Sequence, residues 1–519
     1  MLLARPHLRS LSSLTINNHT ASLANVPGPQ QYPVIGTLPS YWTGKYDRFR
    51  YNKVLKQLYE EYGPVVKENF GDRTIVHVFN PDDIKTVYSL EGKYPEIPPL
   101  METAGIYREQ KGMSLGLGFT NGEEWYRLRS NCQQKMLRPK EVQEHLPGVN
   151  KVAQDFAHRL KKIRLPDSSF EVTDLHTEVG MWNFEASSVL VLDKRLGGLE
   201  QGSQAERLSR QVVLDNKILF KYSGILKLSF PFYKYFNTLT WKKVVASEDR
   251  IYGYAMKLVD QSVLRLRDEL ESGTLQEGRF NFLAYLLSRE ALSLKDVTTI
   301  CLSALLDGLS TTTPTVLFCL YCLSTEQRVQ AKVYEEIAQV IGDNPDLPIL
   351  PEHIGKLTYL KAFVKETFRL WPNGTEVSRY IENDMELSGC MIPAGTHVDL
   401  NPSVHFRDPK HFPEPDKHIP ERWLRREEVD QQFKDLDLND INGMIESAEN
   451  LHPYILTPFG HGTRMCAGRR FAEQHIYVIL ATLLRHFKLG YNVDRKMDAI
   501  YHTLLFPDRP LRIQFKPRK

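Results

Sequence analysis

The residues with the clearest chemical potential lie in one short loop near the end of the chain. Cys466 stands between Gly462 and Gly468, directly before a predicted amphipathic helix. Free N–H groups and the positive end of a helix dipole stabilise a thiolate over a thiol. Glycines let the backbone approach a flat ligand closely, and Arg464 supplies a cation that can pair with a ligand carboxylate. A soft thiolate in such a loop suits iron; the alternative is a structural cysteine in a tight turn.

The complete pattern around this cysteine, FxxGxRxCxG, resembles the haem-binding loop of cytochromes P450, the haem-thiolate monooxygenases. The resemblance implies that Cys466 is the axial ligand of the iron in haem b and that its thiolate favours O–O cleavage. It also implies that Phe459 packs beside the thiolate and that Arg464 binds a haem propionate. The residues that match the family's loop are Phe459, Gly462, Arg464, Cys466 and Gly468.

Two other segments match places where members of this family contact the haem propionates. Trp125 and Arg129 fit the family's WxxxR motif, and Arg379 follows later in the run Val-Ser-Arg. The resemblance therefore implies that these three side chains lie at the edge of the haem that carries its carboxylates.

A candidate ion-pair network joins two distant segments. Glu366 and Arg369 lie three residues apart on one face of a predicted helix, and Arg422 follows in the run Pro-Glu-Arg-Trp. One carboxylate shared by two guanidiniums forms a charge-assisted network, whereas an isolated surface pair stabilises little. These residues resemble the family's ExxR and PERF motifs, with Trp423 at the usual phenylalanine. The resemblance implies a structural role, in which the network locks the core beside the haem.

The run Asp-Gly-Leu-Ser-Thr-Thr-Thr-Pro, which begins at Asp307, lies inside a long predicted helix. A glycine, a proline and threonine hydroxyls that bond back to carbonyls weaken the helical hydrogen-bond ladder and make room for water. Thr311 aligns with the threonine of the family's oxygen-activation motif and Thr312 with the hydroxyl residue after it, so the resemblance implies proton delivery by both. The chain departs from the motif because Ser310 stands at its acidic position.

Asp307 lies one helical turn before Thr311, on the same face of the helix. We hypothesise that its carboxylate replaces the missing acid, either in the proton relay or as a partner of a substrate hydroxyl. The alternative is that Asp307 forms a hydrogen bond with a neighbouring segment and has no catalytic role.

Basic residues surround the predicted cysteine loop. Arg469 and Arg470 directly follow it, and Lys361 and Lys365 lie on the helix of Glu366. Cations at these positions are typical of the family's mitochondrial, ferredoxin-dependent branch, and a basic patch steers a small acidic iron–sulfur protein. The resemblance implies electrons from NADPH, passed through ferredoxin reductase and an adrenodoxin-type 2Fe–2S ferredoxin. The alternative is an ordinary solvated basic face.

Composition describes an ordinary globular protein. The chain has 519 residues, 42% hydrophobic and 25% charged, and its net charge of +3 gives no reason to expect nucleic acid. Six cysteines are too few for a disulfide framework, which favours a reducing compartment. Residues 1–24 contain arginine and serine but no acid, as in a mitochondrial transit peptide; a tail without function is the alternative. We expect residues 25–519 to form a single domain.

Helical periodicity dominates the chain and predicts a mainly α fold with small β-sheets. The resemblance adds that the haem lies between the long central helix and the helix after the cysteine loop. An acidic stretch at residues 427–450 is expected to be a surface insertion. The predicted helices span Tyr51–Tyr62, Glu141–Leu160, Gln204–Phe220, Lys242–Glu271, Leu294–Ser324, Glu326–Gly342, Leu357–Leu370 and Arg469–Phe487; the predicted strands span Val65–Phe70, Thr74–Phe79, Asp384–Leu387 and Thr396–Leu400.

The segment Ile225–Phe236 mixes aromatic residues with lysines, and such a surface can dip into a bilayer while its lysines stay at headgroup level. A buried aromatic cluster is the alternative. The resemblance implies a monomer attached peripherally to the matrix side of the mitochondrial inner membrane. It also implies O₂ and a sterol-like small molecule as substrates.

A fold alone does not name a substrate. The runs DGLSTTTPT and FGHGTR are most similar to the arthropod branch that hydroxylates ecdysteroid precursors at side-chain carbon C22, a step of ecdysteroid biosynthesis. The alternatives are a mitochondrial monooxygenase that oxidises xenobiotics, a catalytically silent haem or sterol carrier, and an isomerase or dehydratase that rearranges peroxides. Thr311, Thr312 and the basic patch argue against the last of these.

Overall fold

The structure, a computed structural model, describes residues 23–167, 169–276, 278–432, 438–491 and 496–518. Except for its last two residues, the predicted transit peptide at 1–24 lies outside the described residues. The described part of the chain is mainly helical with small sheets, which confirms the predicted fold class.

The helices account for most of the described chain. They are α1 (Leu38–Trp42), α2 (Tyr51–Tyr62), α3 (Pro81–Ser89), α4 (Glu102–Gln110), α5 (Gly122–Leu137), α6 (Pro139–Gln143), α7 (Leu146–Ile163), α8 (Leu175–Leu192), α9 (Gln204–Lys227), α10 (Leu239–Glu271), α11 (Asn281–Leu287), α12 (Leu294–Leu306), α13 (Thr312–Thr325), α14 (Gln327–Val340), α15 (Pro351–Lys356), α16 (Thr358–Leu370), α17 (Arg426–Gln432), α18 (Leu438–Glu449) and α19 (Arg469–His486). Short 3₁₀ turns connect several of them.

The strands form one four-stranded sheet and three two-stranded sheets within the described residues. The larger sheet has the order β1-β2-β6-β3, in which β2 and β6 run parallel and the other neighbours run antiparallel. The small sheets pair β4 with β5, β8 with β9 and β7 with β10. The strands are β1 (Val65–Phe70), β2 (Arg73–Val78), β3 (Val377–Tyr380), β4 (Met385–Leu387), β5 (Cys390–Ile392), β6 (His397–Leu400), β7 (Phe487–Tyr491), β8 (Ala499–His502), β9 (Leu504–Pro507) and β10 (Ile513–Pro517).

Helix α8 is buried on nearly every side and packs against α7, α9, α12 and α13. A helix that is apolar all round has no periodic stripe, so the sequence periodicity does not predict it. Its Asn183 side chain touches the position of Gly308, where a Cβ atom would lie 2.4 Å from the Asn183 Nδ2 atom. The glycine therefore allows the central helix to approach α8 closely.

Two predicted helices are divided in the structure. Pro147 lies in the first turn of α7, where its missing N–H costs no hydrogen bond, and the predicted helix 141–160 separates into α6 and α7. The predicted helix 294–324 becomes α12, a 3₁₀ turn at Asp307–Leu309, and α13. Residues Leu294–Thr325 are long and apolar enough to cross a membrane, but 72% of their most apolar window is buried inside the protein. They form the central core helix.

The acidic stretch at 427–450, which is expected to be a surface insertion, is also attached to the hydrophobic core. It includes most of α17 and all of α18, and Val429, Ile441 and Ile445 are buried in the main hydrophobic core. Acidic side chains of the stretch are exposed, as a surface position predicts, while these three apolar side chains anchor it to the core.

Candidate active site

The loop that carries Cys466 is held in shape by its own backbone. The Cys466 amide donates to the Phe459 carbonyl at 2.9 Å, and Gly468 begins α19 as its N-cap. Gly460 and Gly462 have φ angles of 72° and 75°, a conformation that costs other residues free energy. A Cβ atom on Gly462 would also lie 3.0 Å from a carboxylate oxygen of Glu91. The glycines thus let the loop fold back tightly around the cysteine.

The Cys466 side chain is accessible, yet protein atoms surround it closely. This burial raises the pKa of the Cys466 thiol, while the N–H groups of Gly468 and Arg469 and the charge of Arg129 act in the opposite direction. The charge of Asp307 also raises it, which places the 3₁₀ turn of the central helix within electrostatic range of the sulfur. A bound metal cation deprotonates a coordinating thiol outright, so this site favours a thiolate only with a metal partner.

Arg464 is held rigidly beside the loop. Its guanidinium donates to the carbonyl oxygens of Pro95 and Thr120 at 2.7 and 2.9 Å, and it lies 3.9 Å from the centre of the Trp125 ring. Burial, together with the charges of Arg379 and Arg129, lowers the pKa of Arg464 to about 9. Three guanidiniums are therefore concentrated at this edge of the cysteine loop.

The two other arginines are also nearly buried. Arg379 pairs with Glu91, and Arg129 donates to the Met465 carbonyl at 3.0 Å. The Arg129 Nε atom is buried and has no hydrogen-bond partner among the described residues. This donor lies among three guanidiniums that repel one another. Such a set of cations is suited to binding a ligand that carries anionic groups. The donor set around Cys466, a thiol with three arginines beside it, thus fits haem and its two propionates.

The break in the central helix lies within electrostatic range of Cys466. Thr311 donates its hydroxyl to the Asp307 carbonyl at 2.8 Å, and Ser310 donates to the same oxygen at 3.2 Å. Asn373 donates to the Ser310 carbonyl at 3.2 Å and thereby fixes the turn from the other side. The Ser310 and Thr312 side chains are buried, whereas those of Asp307 and Thr311 are accessible.

The Asp307 carboxyl is influenced by the protein atoms and by one charge around it. Its side chain is accessible, but the surrounding protein raises the pKa of its carboxyl to about 6, an effect that the Arg108 charge partly opposes. Arg108 itself is buried and donates to the Leu115 carbonyl and the Tyr252 hydroxyl at 2.6 and 3.0 Å. The structure therefore brings Asp307 and Thr311 to the accessible side of the break and places Thr312 in the core.

The predicted ion-pair network is present and fully buried. Glu366 accepts from Arg369 at 2.9 and 2.7 Å and from Arg422 at 3.0 Å. The Trp423 indole N–H donates a hydrogen bond of 2.9 Å to the same carboxylate, and the Ile419 amide donates another of 3.1 Å. Burial alone would raise the pKa of Glu366, but the bonds and charges of the two arginines hold it at about 2.

Three of the four predicted basic residues, Arg469, Arg470 and Lys361, lie near Glu473. Arg469 and Arg470 donate to its carboxylate at 2.9 and 3.2 Å, and the same charge influences Lys361. Lys365 is exposed, with its ammonium 4.0 Å from the centre of the Trp423 ring, while Lys361 donates to the Gly355 carbonyl. The patch thus contains four cations and one neutralising acid that the sequence prediction did not include.

Sequence reasoning missed several residues that build this site. Glu91, Arg108, Asn183 and Asn373 belong to none of the recognised motifs, and each acts through a contact that only folding creates. A polar residue in an otherwise apolar stretch, as with Asn183 in α8, is the one signal that was available.

A family model described as Cytochrome P450 matches residues 26–515. The chain is a cytochrome P450. This cytochrome P450 is 36% identical over 507 residues to "Probable cytochrome P450 CYP44" of Caenorhabditis elegans. The alignment covers 96% of this chain and 95% of the relative.

Two further relatives cover nearly as much. "Cytochrome P450 10" of Lymnaea stagnalis is 34% identical over 95% of this chain and 86% of its own length. "Sterol 26-hydroxylase, mitochondrial" of Rattus norvegicus is 30% identical over 96% of this chain and 89% of its own. This cytochrome P450 is therefore a haem-containing oxidoreductase of the monooxygenase type, and its relatives include members of the mitochondrial branch.

Proposed function

We propose that this cytochrome P450 hydroxylates a sterol-like substrate with O₂ in mitochondria, using electrons from a ferredoxin. The observation that carries the proposal is the accessible Cys466 thiol at the start of α19, opposite the Asp307 break of the central helix. A mitochondrial sterol hydroxylase among the relatives supports the substrate class. One domain over residues 25–519, acting as a monomer, completes this proposal.

In this proposal the haem would lie between the central helix and α19. Cys466 would supply the thiolate ligand of its iron, Phe459 would pack beside that thiolate, and Gly462 and Gly468 would let the loop approach the ring. The propionates would be bound by Arg464, Arg129, Arg379 and Trp125, whose cations and indole lie at one edge of the loop. When bound, the haem supplies an iron that activates O₂ and whose thiolate ligand favours O–O cleavage.

The chain's own acid and hydroxyl groups deliver the protons. Asp307 has a pKa near 6 and can take up and release a proton near neutral pH. Thr311 lies on the same accessible side and can pass a proton once its hydroxyl turns away from the Asp307 carbonyl. Thr312 is buried, so its part in the proposal is to hold the start of α13 behind Thr311.

The electron donor is a ferredoxin of the adrenodoxin type, reduced by NADPH through ferredoxin reductase. Lys361, Lys365, Arg469 and Arg470 form a basic patch beside the thiolate loop that would attract its acidic surface. The network of Glu366, Arg369 and Arg422 fixes α16 under this patch. The electrons would then enter the haem on the side where Cys466 would hold it.

An exposed apolar surface supports peripheral attachment to the inner membrane from the matrix side. Phe232, Tyr235, Phe236 and Leu239 are all at least half exposed, between α9 and the start of α10. Lys234 is half-buried and pairs with Asp72 and Glu102, so its charge is already compensated within the protein. The aromatic surface itself is the membrane contact in this proposal.

The narrower proposal is hydroxylation of an ecdysteroid precursor at side-chain C22, as in ecdysteroid biosynthesis. Its support is the similarity of the DGLSTTTPT and FGHGTR runs to that branch. Oxidation of xenobiotics by the same machinery is the competing assignment, and it predicts products from many unrelated compounds rather than from one sterol.

The test is reconstitution of the protein lacking residues 1–24 with NADPH, ferredoxin reductase and an adrenodoxin-type ferredoxin. A sterol panel that includes ecdysteroid precursors is offered, and products are identified by mass spectrometry. A sterol product with one added oxygen that requires the ferredoxin supports the proposal. Turnover of xenobiotics alone would contradict the sterol assignment, and no product from any substrate would contradict the monooxygenase mechanism.

A further inference from the structure

A cluster of two imidazoles and one carboxylate lies outside the haem site. His405 ends the 3₁₀ turn Pro402–His405 after β6, and Asp408 and His411 follow at intervals of three residues. One potential ligand atom from each of the three lies within 4.8 Å of the other two. We propose that His405, Asp408 and His411 form a zinc site. The proposal does not depend on the substrate or the electron donor of the enzyme.

The backbone determines which nitrogen of His405 can bind a metal. Its Nε2 atom lies 2.9 Å from the Phe79 carbonyl oxygen. A carbonyl only accepts hydrogen bonds, so Nε2 carries the hydrogen and Nδ1 carries a free lone pair. A bond from one ring nitrogen to a backbone carbonyl is also the usual way in which a metal-binding histidine is oriented.

The Nδ1 atom of His405 lacks a partner. It is buried and receives no hydrogen bond from the described residues, in a side chain that is only 3% exposed. A buried acceptor that is left without a hydrogen bond destabilises the folded protein. A zinc ion bound to this nitrogen would remove that destabilisation, which is a second observation beside the geometry of the cluster.

The chain turns so that the three residues share one side. The Asp408 amide donates to the His405 carbonyl at 3.1 Å, and the His411 amide donates to the Asp408 carbonyl at 3.1 Å. The rings of His405 and His411 are 5.2 Å apart between centres. One oxygen of the Asp408 carboxylate accepts from the Lys410 amide at 2.9 Å, which holds this side chain against the turn.

Two imidazole nitrogens and one carboxylate oxygen favour zinc over magnesium or calcium, which prefer oxygen ligands. Tetrahedral ligands about 2 Å from zinc lie roughly 3.3 Å apart, so the widest pair here must close by at most about 1.5 Å. Asp408 and His411 are half-buried and can make this adjustment. Three protein ligands leave a fourth position for water.

A second cluster provides an internal comparison. His158, Asp346 and His486 also place ligand atoms within 4.8 Å of one another, but His158 and Asp346 are exposed. The Nε2 atom of His486 already lies 2.8 Å from the amide oxygen of Gln154. This cluster lacks a buried nitrogen without a partner, so we expect it to bind zinc more weakly.

The experiment uses the haem-loaded full chain without an affinity tag, stripped of metals by a chelator. Equilibrium dialysis against zinc chloride, with zinc and iron counted by mass spectrometry, gives the affinity and the stoichiometry. We expect one tightly bound zinc per chain, not displaced by magnesium. His411→Ala and Asp408→Asn each weaken this binding by at least about tenfold, whereas His158→Ala leaves it unchanged.

Thermal unfolding gives an independent readout, because a ligand that binds only the folded state stabilises it. Zinc raises the unfolding temperature of the wild type and of His158→Ala but not of His411→Ala. Asp408→Asn retains a side-chain oxygen that can accept the hydrogen bond from the Lys410 amide, so we expect this variant to keep the turn. It replaces His411→Ala in the test if the latter does not fold. The proposal is overturned if the wild type binds no tight zinc, if the Asp408 variant binds it as well as the wild type, or if His158→Ala loses it.

Discussion

The Thr311 hydroxyl donates a hydrogen bond of 2.8 Å to the main-chain carbonyl of Asp307, across the turn between α12 and α13. This bond occupies the hydroxyl and the carbonyl but leaves the Asp307 carboxylate available on the accessible side of the turn. Because the acidic position of the family motif holds Ser310, whose side chain is buried, Asp307 is the acid nearest to Thr311 in the sequence. The central helix thus offers a carboxylate and a hydroxyl toward Cys466.

Replacement of Asp307 tests the proton-delivery proposal. We expect Asp307→Asn to lower turnover by at least about tenfold and to lower the product formed per NADPH, with an unchanged haem spectrum. Ser310→Ala is the matched control and changes little, because the Ser310 hydroxyl only bonds to the Asp307 carbonyl. Equal turnover, coupling and substrate affinity in Asp307→Asn and the wild type would refute a role for this carboxylate.

The pH dependence of coupling provides a second test of the same residue. Burial raises the pKa of Asp307 to about 6, so its charged form, which accepts protons, is lost as the pH falls through that value. Product formed per NADPH in the wild type should decline below about pH 6, and this decline should be missing from Asp307→Asn. A similar profile for both proteins would assign the decline to another group.

The basic patch predicts opposite effects for two substitutions. Lys365→Glu should raise the apparent KM for the ferredoxin, and Glu473→Gln should lower it, because Glu473 neutralises Arg469 and Arg470. Lys516→Glu, an exposed lysine on β10, is the charge-matched control. Higher salt should lower the rate of ferredoxin-supported turnover of the wild type, because it screens the attraction between the two proteins. If the KM stays constant across all three variants, the ferredoxin binds elsewhere.

Glu366 should be essential to stability. Glu366→Gln leaves the buried guanidiniums of Arg369 and Arg422 without a countercharge, and breaking a buried pair in this way costs about 3–5 kcal/mol. Denaturant unfolding measures the loss, with the exposed Glu427→Gln as control. The pKa of Glu366 is held at about 2, so its stabilising effect is complete above the usual carboxyl pKa and is lost progressively as the pH falls from that value through about 2. A stability equal to that of the control would show that the network is dispensable.

Arg129 should contribute to haem retention. Arg129→Gln removes one of the three cations beside the cysteine loop, and we expect about tenfold weaker haem binding, in line with the loss of a charge-assisted bond. Arg127→Gln lies on the same helix α5 but pairs with Glu124 and Asp296, away from the loop. Haem transfer to apomyoglobin measures both variants, and an equal transfer rate would place the propionates away from Arg129.

The sequence was sufficient for features whose residues are close together or belong to a recognised motif. The Cys466 loop and the Glu366–Arg369 pair were predicted because short spacing brings their side chains together. Helix α8 was missed because burial on all sides removes its periodicity. The pairing of Glu473 with the patch arginines and the approach of Arg108 to Asp307 were missed because they depend on rotamers and on contacts between distant segments.

The most direct test of the account is the absorption spectrum of the reduced protein with carbon monoxide. The wild type and Cys390→Ser, which changes a half-buried cysteine on β5, should show the long-wavelength band of a thiolate-ligated haem. Cys466→Ser should lose that band and all ferredoxin-dependent hydroxylation. The band in Cys466→Ser, or its absence from the wild type, would contradict the assignment of Cys466 as the iron ligand.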